Sequence, residues 1–100
     1  MKSNIKSKIM MRVKRIHFIG IGGSGMSGIA SILNDLGYMV SGSDLNSSKN
    51  IELLIKKGIN ISIGHNKDNI LSKDVVVISS AVKQDNIEVI YAKDLNIPII

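Results

Sequence analysis

"RIHFIGIGGSGMSG", residues 15–28, is the stretch whose reading decides the fold. Its first half is a short apolar run ending at a glycine, the pattern of a strand buried in a parallel sheet. Its second half holds Gly20, Gly22, Gly23, Gly25 and Gly28, which is more glycine than any core would use. Glycine loses more conformational freedom on folding than any other residue, so the cluster needs a reason. Gly20, Gly22 and Gly25 fit the spacing G-x-G-x-x-G, between a predicted strand and a predicted helix. In that context the loop turns into a helix whose free N–H groups and positive dipole end suit a phosphate. On this reading Gly20 makes the tight turn, Gly22 lets a diphosphate approach the main chain, and Gly25 lets helix and strand pack closely. Gly28, one helical turn on, extends the bare face.

Outward from the loop, Ile29, Ile32, Leu33 and Leu36 recur at helical spacing, with Gly37 placed to end the helix. "YMVSGSD" (38–44) reads as a second strand. "SSKNIELLIKKG" (47–58) reads as a short helix with Ile51, Leu54 and Ile55 inward. "INISIG" (59–64) alternates cleanly, as a strand near the sheet edge does. "DVVVISSA" (74–81) reads as a central strand covered on both faces. Ile87, Ile90, Tyr91 and Leu95 form a third helical stripe, and "IPII" (97–100) begins a fifth strand with Pro98 near its start. The alternation predicts an α/β, Rossmann-like, doubly wound parallel sheet of five strands in the order 3-2-1-4-5, spanning residues 15–100.

The formal net charge is +5, yet six of the thirteen basic residues lie within residues 1–15, where there is no acid. The remaining seven face all eight acids, so the folded part lacks the basic face that nucleic acid requires. Residues 1–14 read as a basic, flexible leader. No apolar segment follows them to make a secretory signal, and no stretch approaches the ~20 apolar residues of a membrane span. The absence of cysteine excludes disulfides and thiolate zinc sites. These features predict a soluble, cytoplasmic protein without nucleic-acid or membrane partners.

Asp44 stands some twenty residues after the glycines, where such folds hydrogen-bond a ribose hydroxyl; alternatively it caps the turn after "SGS". His17 lies within the first strand and reads as a packed residue. His65, just past the third strand, is either a solvated loop residue or a ligand contact. Ser79, Ser80 and Ala81 end the fourth strand beside the switch point, or simply close a buried strand. No zinc spacing, nucleophile elbow or P-loop is present, so no catalytic or metal-ligating residue is assigned.

Together "HFIGIGGSGMSGIA", "GY…SGSD", "GI…GH", "VVVISSAV…DN" and "IPII" resemble the N-terminal domain of the Mur ligases, specifically the UDP-N-acetylmuramate:L-alanine ligases of peptidoglycan synthesis. The resemblance runs almost continuously over residues 15–100. It implies that Gly20, Gly22, Gly23, Ser24, Gly25 and Met26 form the cradle of the UDP diphosphate. Asp44 and His65 would then lie toward the uridine, with Ser80 and Ala81 lining the crevice. In that family, ATP and magnesium act in a central domain, where the lactyl carboxylate is phosphorylated before the L-alanine amine attacks it. The chain ends where that domain should begin, so the resemblance implies a UDP-N-acetylmuramate-binding domain that is inactive alone. The murein-peptide recycling ligases are a second reading, and a NAD-binding module of a dehydrogenase or regulatory protein is a third.

Overall fold

The computed structural model describes residues 13–100; residues 1–12, most of the expected leader, lie outside the described residues. In order come β1 (Arg15–Ile19), α1 (Met26–Asp35), β2 (Met39–Asp44), α2 (Lys49–Lys56) and β3 (Asn60–Ile63). A 3-10 turn (Lys67–Ile70), β4 (Val75–Ile78) and α3 (Ile87–Asp94) complete the chain. The four strands are all parallel, in the order β3-β2-β1-β4. β3 takes the edge, as its alternation predicts.

The expected fifth strand is corrected. Residues 97–100 do run parallel beside β4, but only through a bridge between Val76 and Ile99. Val76 N–H donates to Pro98 and Ile100 N–H donates back to Val76. Pro98 has no N–H to give to this ladder, and Ile78 N–H donates to Ile100 at 3.1 Å. The fourth strand is also shorter than predicted, because Ser79 and Ser80 already belong to the turn after Ile78.

Alternation along β1 serves two cores. Ile16 and Phe18 pack with Val40, Val75, Ile59, and with Ala30, Ile51 and Leu54 of α1 and α2. Ile19 faces the other way, with Val76, Ile70, and Val89 and Ala92 of α3. Helices on both faces make the sheet doubly wound.

Two helix faces differ from expectation. In α1 the inward residues are Ala30, Met26 and Leu33, whereas Ile32 and Leu36 are 61% and 69% exposed. Both stripes have helical spacing, so periodicity could not choose between them. In α3 the inward set is Glu88, Val89 and Ala92, while Ile87, Ile90 and Leu95 lie outside. Ile55 of α2 is likewise exposed, leaving Ile51 and Leu54 as its buried residues.

The leader's predicted boundary also moves. Val13 packs against the first core, and Lys14 accepts from Met39 N–H at 2.8 Å. Asp74 Oδ2 accepts from the N–H groups of Lys14 and Arg15 at 2.9 and 2.8 Å. Those two main-chain bonds, Arg15's first, hold the Asp74 carboxyl below its ordinary range. Residues 13 and 14 are therefore part of the fold.

Candidate functional site

The C-terminal ends of the strands enclose a cavity of about 420 Å³, within the usual range of small-molecule sites. It is lined by Gly20 and Gly23 after β1, Asp44 and Leu45 after β2, and His65 after β3. Ser79, Ala81, Val82, Lys83, Asp85 and Asn86, between β4 and α3, form the remaining wall. β1 has β2 on one side and β4 on the other, so the cavity sits at the topological switch point.

The glycine loop is tied down before it reaches the helix. Gly20 and Ile21 N–H both donate to Ser43 O, and Gly23 N–H returns to Gly20 O. Gly20 has φ +79°, and a Cβ there would meet Val82 and Ser79 at 3.0 and 3.1 Å. Both the turn and the close approach require glycine at that position. Gly22 is held between the second strand and its helix. Its N–H donates to Asp44 Oδ2 at 2.9 Å, and a Cβ would press on Asp44 and Ile51 at 3.0 Å. Gly22 thus makes room for the second strand and helix. A bulky residue there is expected to loosen the fold as well as the site.

Gly25 is corrected too. A Cβ on it would meet nothing within 4 Å, so it does not serve helix–strand packing; its φ of +81° is what demands glycine. Gly25→Ala is therefore expected to lower stability by only about 1–2 kcal/mol, the strain of a left-handed alanine, and urea denaturation will read it.

Side chains cap the other helical starts. Ser48 accepts from Ile51 N–H, Asn66 from Asp68 N–H and Asn86 from Glu88 N–H. α1 begins at Gly25 with no side-chain cap. Among the described residues the N–H groups of Ser24, Gly25, Ser27 and Gly28 have no acceptor, while Met26 N–H is used by Gly23 O. These free amides are the ones able to hold an anion.

Asp44 both caps and faces the cavity. Its Oδ2 takes Gly22 N–H, its Oδ1 takes Leu45 N–H at 2.8 Å, and each oxygen keeps a lone pair. Ser80 is exposed and absent from the cavity lining, whereas Ala81 lines it; Ser79 lines it too and accepts Ala81 N–H. Sequence reasoning assigned no site role to Lys83, Asp85 and Asn86, although Asp85 and Asn86 belong to a segment that carries the resemblance. Lys83 adds a basic residue to the cavity lining.

It also missed Glu88, which is fully buried beneath the site. His17 Nε2–H donates to its Oε1 at 2.7 Å and Ser43 O–H at 2.9 Å. His65, Asn66 and Asn69 surround Oε2 at 2.9, 3.1 and 3.3 Å. Burial pushes the Glu88 carboxyl up, but the hydrogen bond and charge of His17, with Ser43 and His65, hold it down at about 2. The only hint in the sequence was His17 itself, a polar residue in an apolar strand that had to find a partner.

A family model described as "Mur ligase family, catalytic domain" matches residues 15–100. The chain belongs to the Mur ligase family. Curated Mur ligase relatives named UDP-N-acetylmuramate–L-alanine ligase include those of Aquifex aeolicus, 58% identical, and Pelobacter propionicus, 57% identical, each over 89% of this chain. The chain spans about a fifth of the length of these relatives. Among solved structures, the UDP-N-acetylmuramate–alanine ligase of Thermotoga maritima matches with a TM-score of 0.81 and 39% identity, over 85% of this chain and 20% of that one. The murein peptide ligase of Psychrobacter arcticus matches with a TM-score of 0.80 and 28% identity, over 87% of this chain and 18% of that one. Backbone shape barely separates the two kinds of Mur ligase; sequence identity does. No described helix is long and apolar enough to cross a membrane.

Proposed function

We propose that this chain is the UDP-sugar-binding segment of a UDP-N-acetylmuramate:L-alanine ligase, acting in the cytoplasm. The observation that carries the reading is the uncapped start of α1, with its free amides, beside a cavity at the switch point. The diphosphate would lie against Ser24, Gly25, Ser27 and Gly28 N–H, with Lys83 supplying positive charge. Gly20, Gly22, Gly23 and Met26 shape the loop rather than donate to the ligand. Asp44 and His65 would face the nucleoside, and Ala81 the crevice. Among the solved structures the L-alanine ligase is 39% identical, against 33% and 28% for the murein peptide ligases, and the curated L-alanine ligases reach 51–58%, which favours the first reading.

In the whole enzyme, ATP and magnesium would drive the joining of L-alanine. The described residues do not fit that group. The glycine loop is followed by Met26 rather than a lysine, and the described residues hold no cluster of three metal-ligating side chains. The ATP step therefore belongs to other parts of the enzyme, and this segment contributes binding and orientation.

Calorimetric titration tests the proposal. UDP-N-acetylmuramate is expected to bind, and NAD to bind at least tenfold more weakly; the reverse order would identify a dinucleotide module. With ATP, UDP-N-acetylmuramate and L-alanine all present, the hundred-residue chain is expected to release no ADP above a protein-free control. Turnover would show that a phosphoryl-donor site has been overlooked.

A further inference from the structure

We propose that Glu88 is a positioning residue that locks His65 as its Nδ1–H tautomer, so that Nε2 meets the cavity as a fixed hydrogen-bond acceptor. The nucleotide-sugar reading is needed only to name the ligand; the lock is a property of the chain itself.

The argument is an inventory of donors. Glu88 Oε2 lies 2.9 Å from His65 Nδ1 and can only accept, as a carboxylate. Ser43 Oγ lies 3.0 Å from the same nitrogen, but its proton already goes to Glu88 Oε1 at 2.9 Å. Both neighbours of Nδ1 are therefore acceptors, and Nδ1 must carry the hydrogen. In a neutral imidazole that leaves Nε2 with the lone pair. Nε2 has no partner among the described residues, and no buried side-chain nitrogen or oxygen is left without one. It is thus reached from outside the fold, and His65 lines the cavity. Beside Asp44, which is also an acceptor, it forms an edge suited to an O–H or N–H group, such as a ribose hydroxyl or an imide. The buried carboxylate thereby gives the site a preference for a donor-bearing nucleoside.

The two ends of the carboxylate answer differently to an amide. On the Oε2 side, Asn66 N–H and the Asn69 amide cannot reverse direction. On the Oε1 side His17 can, because an Nδ1–H there has Ser41 Oγ at 2.9 Å to accept it. In Glu88→Gln the carbonyl should settle toward His65 and the NH2 toward His17.

Imidazole nitrogen NMR at a pH where both histidines are neutral tests this. In the parent chain His65 is expected as Nδ1–H and His17 as Nε2–H. Glu88→Gln should keep His65 as Nδ1–H and convert His17 to Nδ1–H. Glu88→Met should release His65 toward Nε2–H, the form an unrestrained histidine favours. If that variant fails to fold, the parent and Gln spectra still decide. A parent His65 found as Nε2–H would overturn the proposal, as would a Gln variant in which His65 rather than His17 changes form. His65→Asn keeps an N–H for Glu88 but removes the ring acceptor Nε2, which the shorter side chain does not replace; it should fold and bind UDP-N-acetylmuramate at least tenfold more weakly. Unchanged affinity would sink the ligand-reading role. If the parent chain bound no UDP-sugar at all, the functional reading would fall while the tautomers still judged the lock.

Discussion

Glu88→Ala is expected to destabilise the domain by about 3–5 kcal/mol, the scale of removing one buried charged partner from a hydrogen-bonded network. Removing the carboxylate leaves His17, Ser43, His65, Asn66 and Asn69 without the acceptor on which they converge. Those groups come from β1, β2, the turn after β3 and the 3-10 turn, so the loss is felt across one whole face of the sheet. Urea denaturation at pH 7 measures it, and a loss under about 1 kcal/mol would mean the network contributes no more than a single ordinary hydrogen bond.

The same residue sets the acid limit of the fold. Its carboxyl is depressed from 4.5 to about 2 in the native chain. A depressed native value stabilises the fold above the unfolded value and ceases to do so as pH falls toward the native one. Stability should therefore drop by about 3 kcal/mol between pH 5 and pH 2 through this group alone. Glu88→Gln cannot titrate and should lose that part of the slope. A Gln variant with the parent's full acid sensitivity would place the lability elsewhere.

Gly42→Val is expected to cost about 3 kcal/mol or more, the upper end of overpacking. Gly42 pairs with Phe18 and Ile61 in the middle of the sheet. A Cβ there would stand 2.7 Å from Ile21 Cβ and 2.9 Å from its Cγ2. Ile21 has no exposed surface, and its N–H is bonded to Ser43 O at 3.1 Å. Neither partner can yield without moving the glycine loop, so ligand affinity should fall along with stability. For a domain of this size the melting temperature should drop by more than about 10 °C. A melt within about 4 °C of the parent would show that the loop rearranges freely.

Much of this protein was legible in the chain alone. The run before Gly20, the βα alternation and the β-branched block at 75–77 determined an open parallel sheet, with its site at the strands' carboxyl ends. Such features are local: a strand's burial and a loop's freedom are written in the residues that make them. Periodicity failed where two answers were equally apolar. α1 could bury Ile29 and Ile32 or Met26, Ala30 and Leu33, and only packing against the sheet and α2 decided for the second set. Gly22 and Gly25 looked alike as members of one motif. Tertiary contacts separated them, one making room for Ile51 and Asp44, the other adopting a left-handed backbone. Glu88 was the least legible of all. In sequence it is an ordinary acid in the first turn of a helix, 71 residues from His17. Only folding brings the two within hydrogen-bond reach, because a buried carboxylate gets its role from donors that other strands supply.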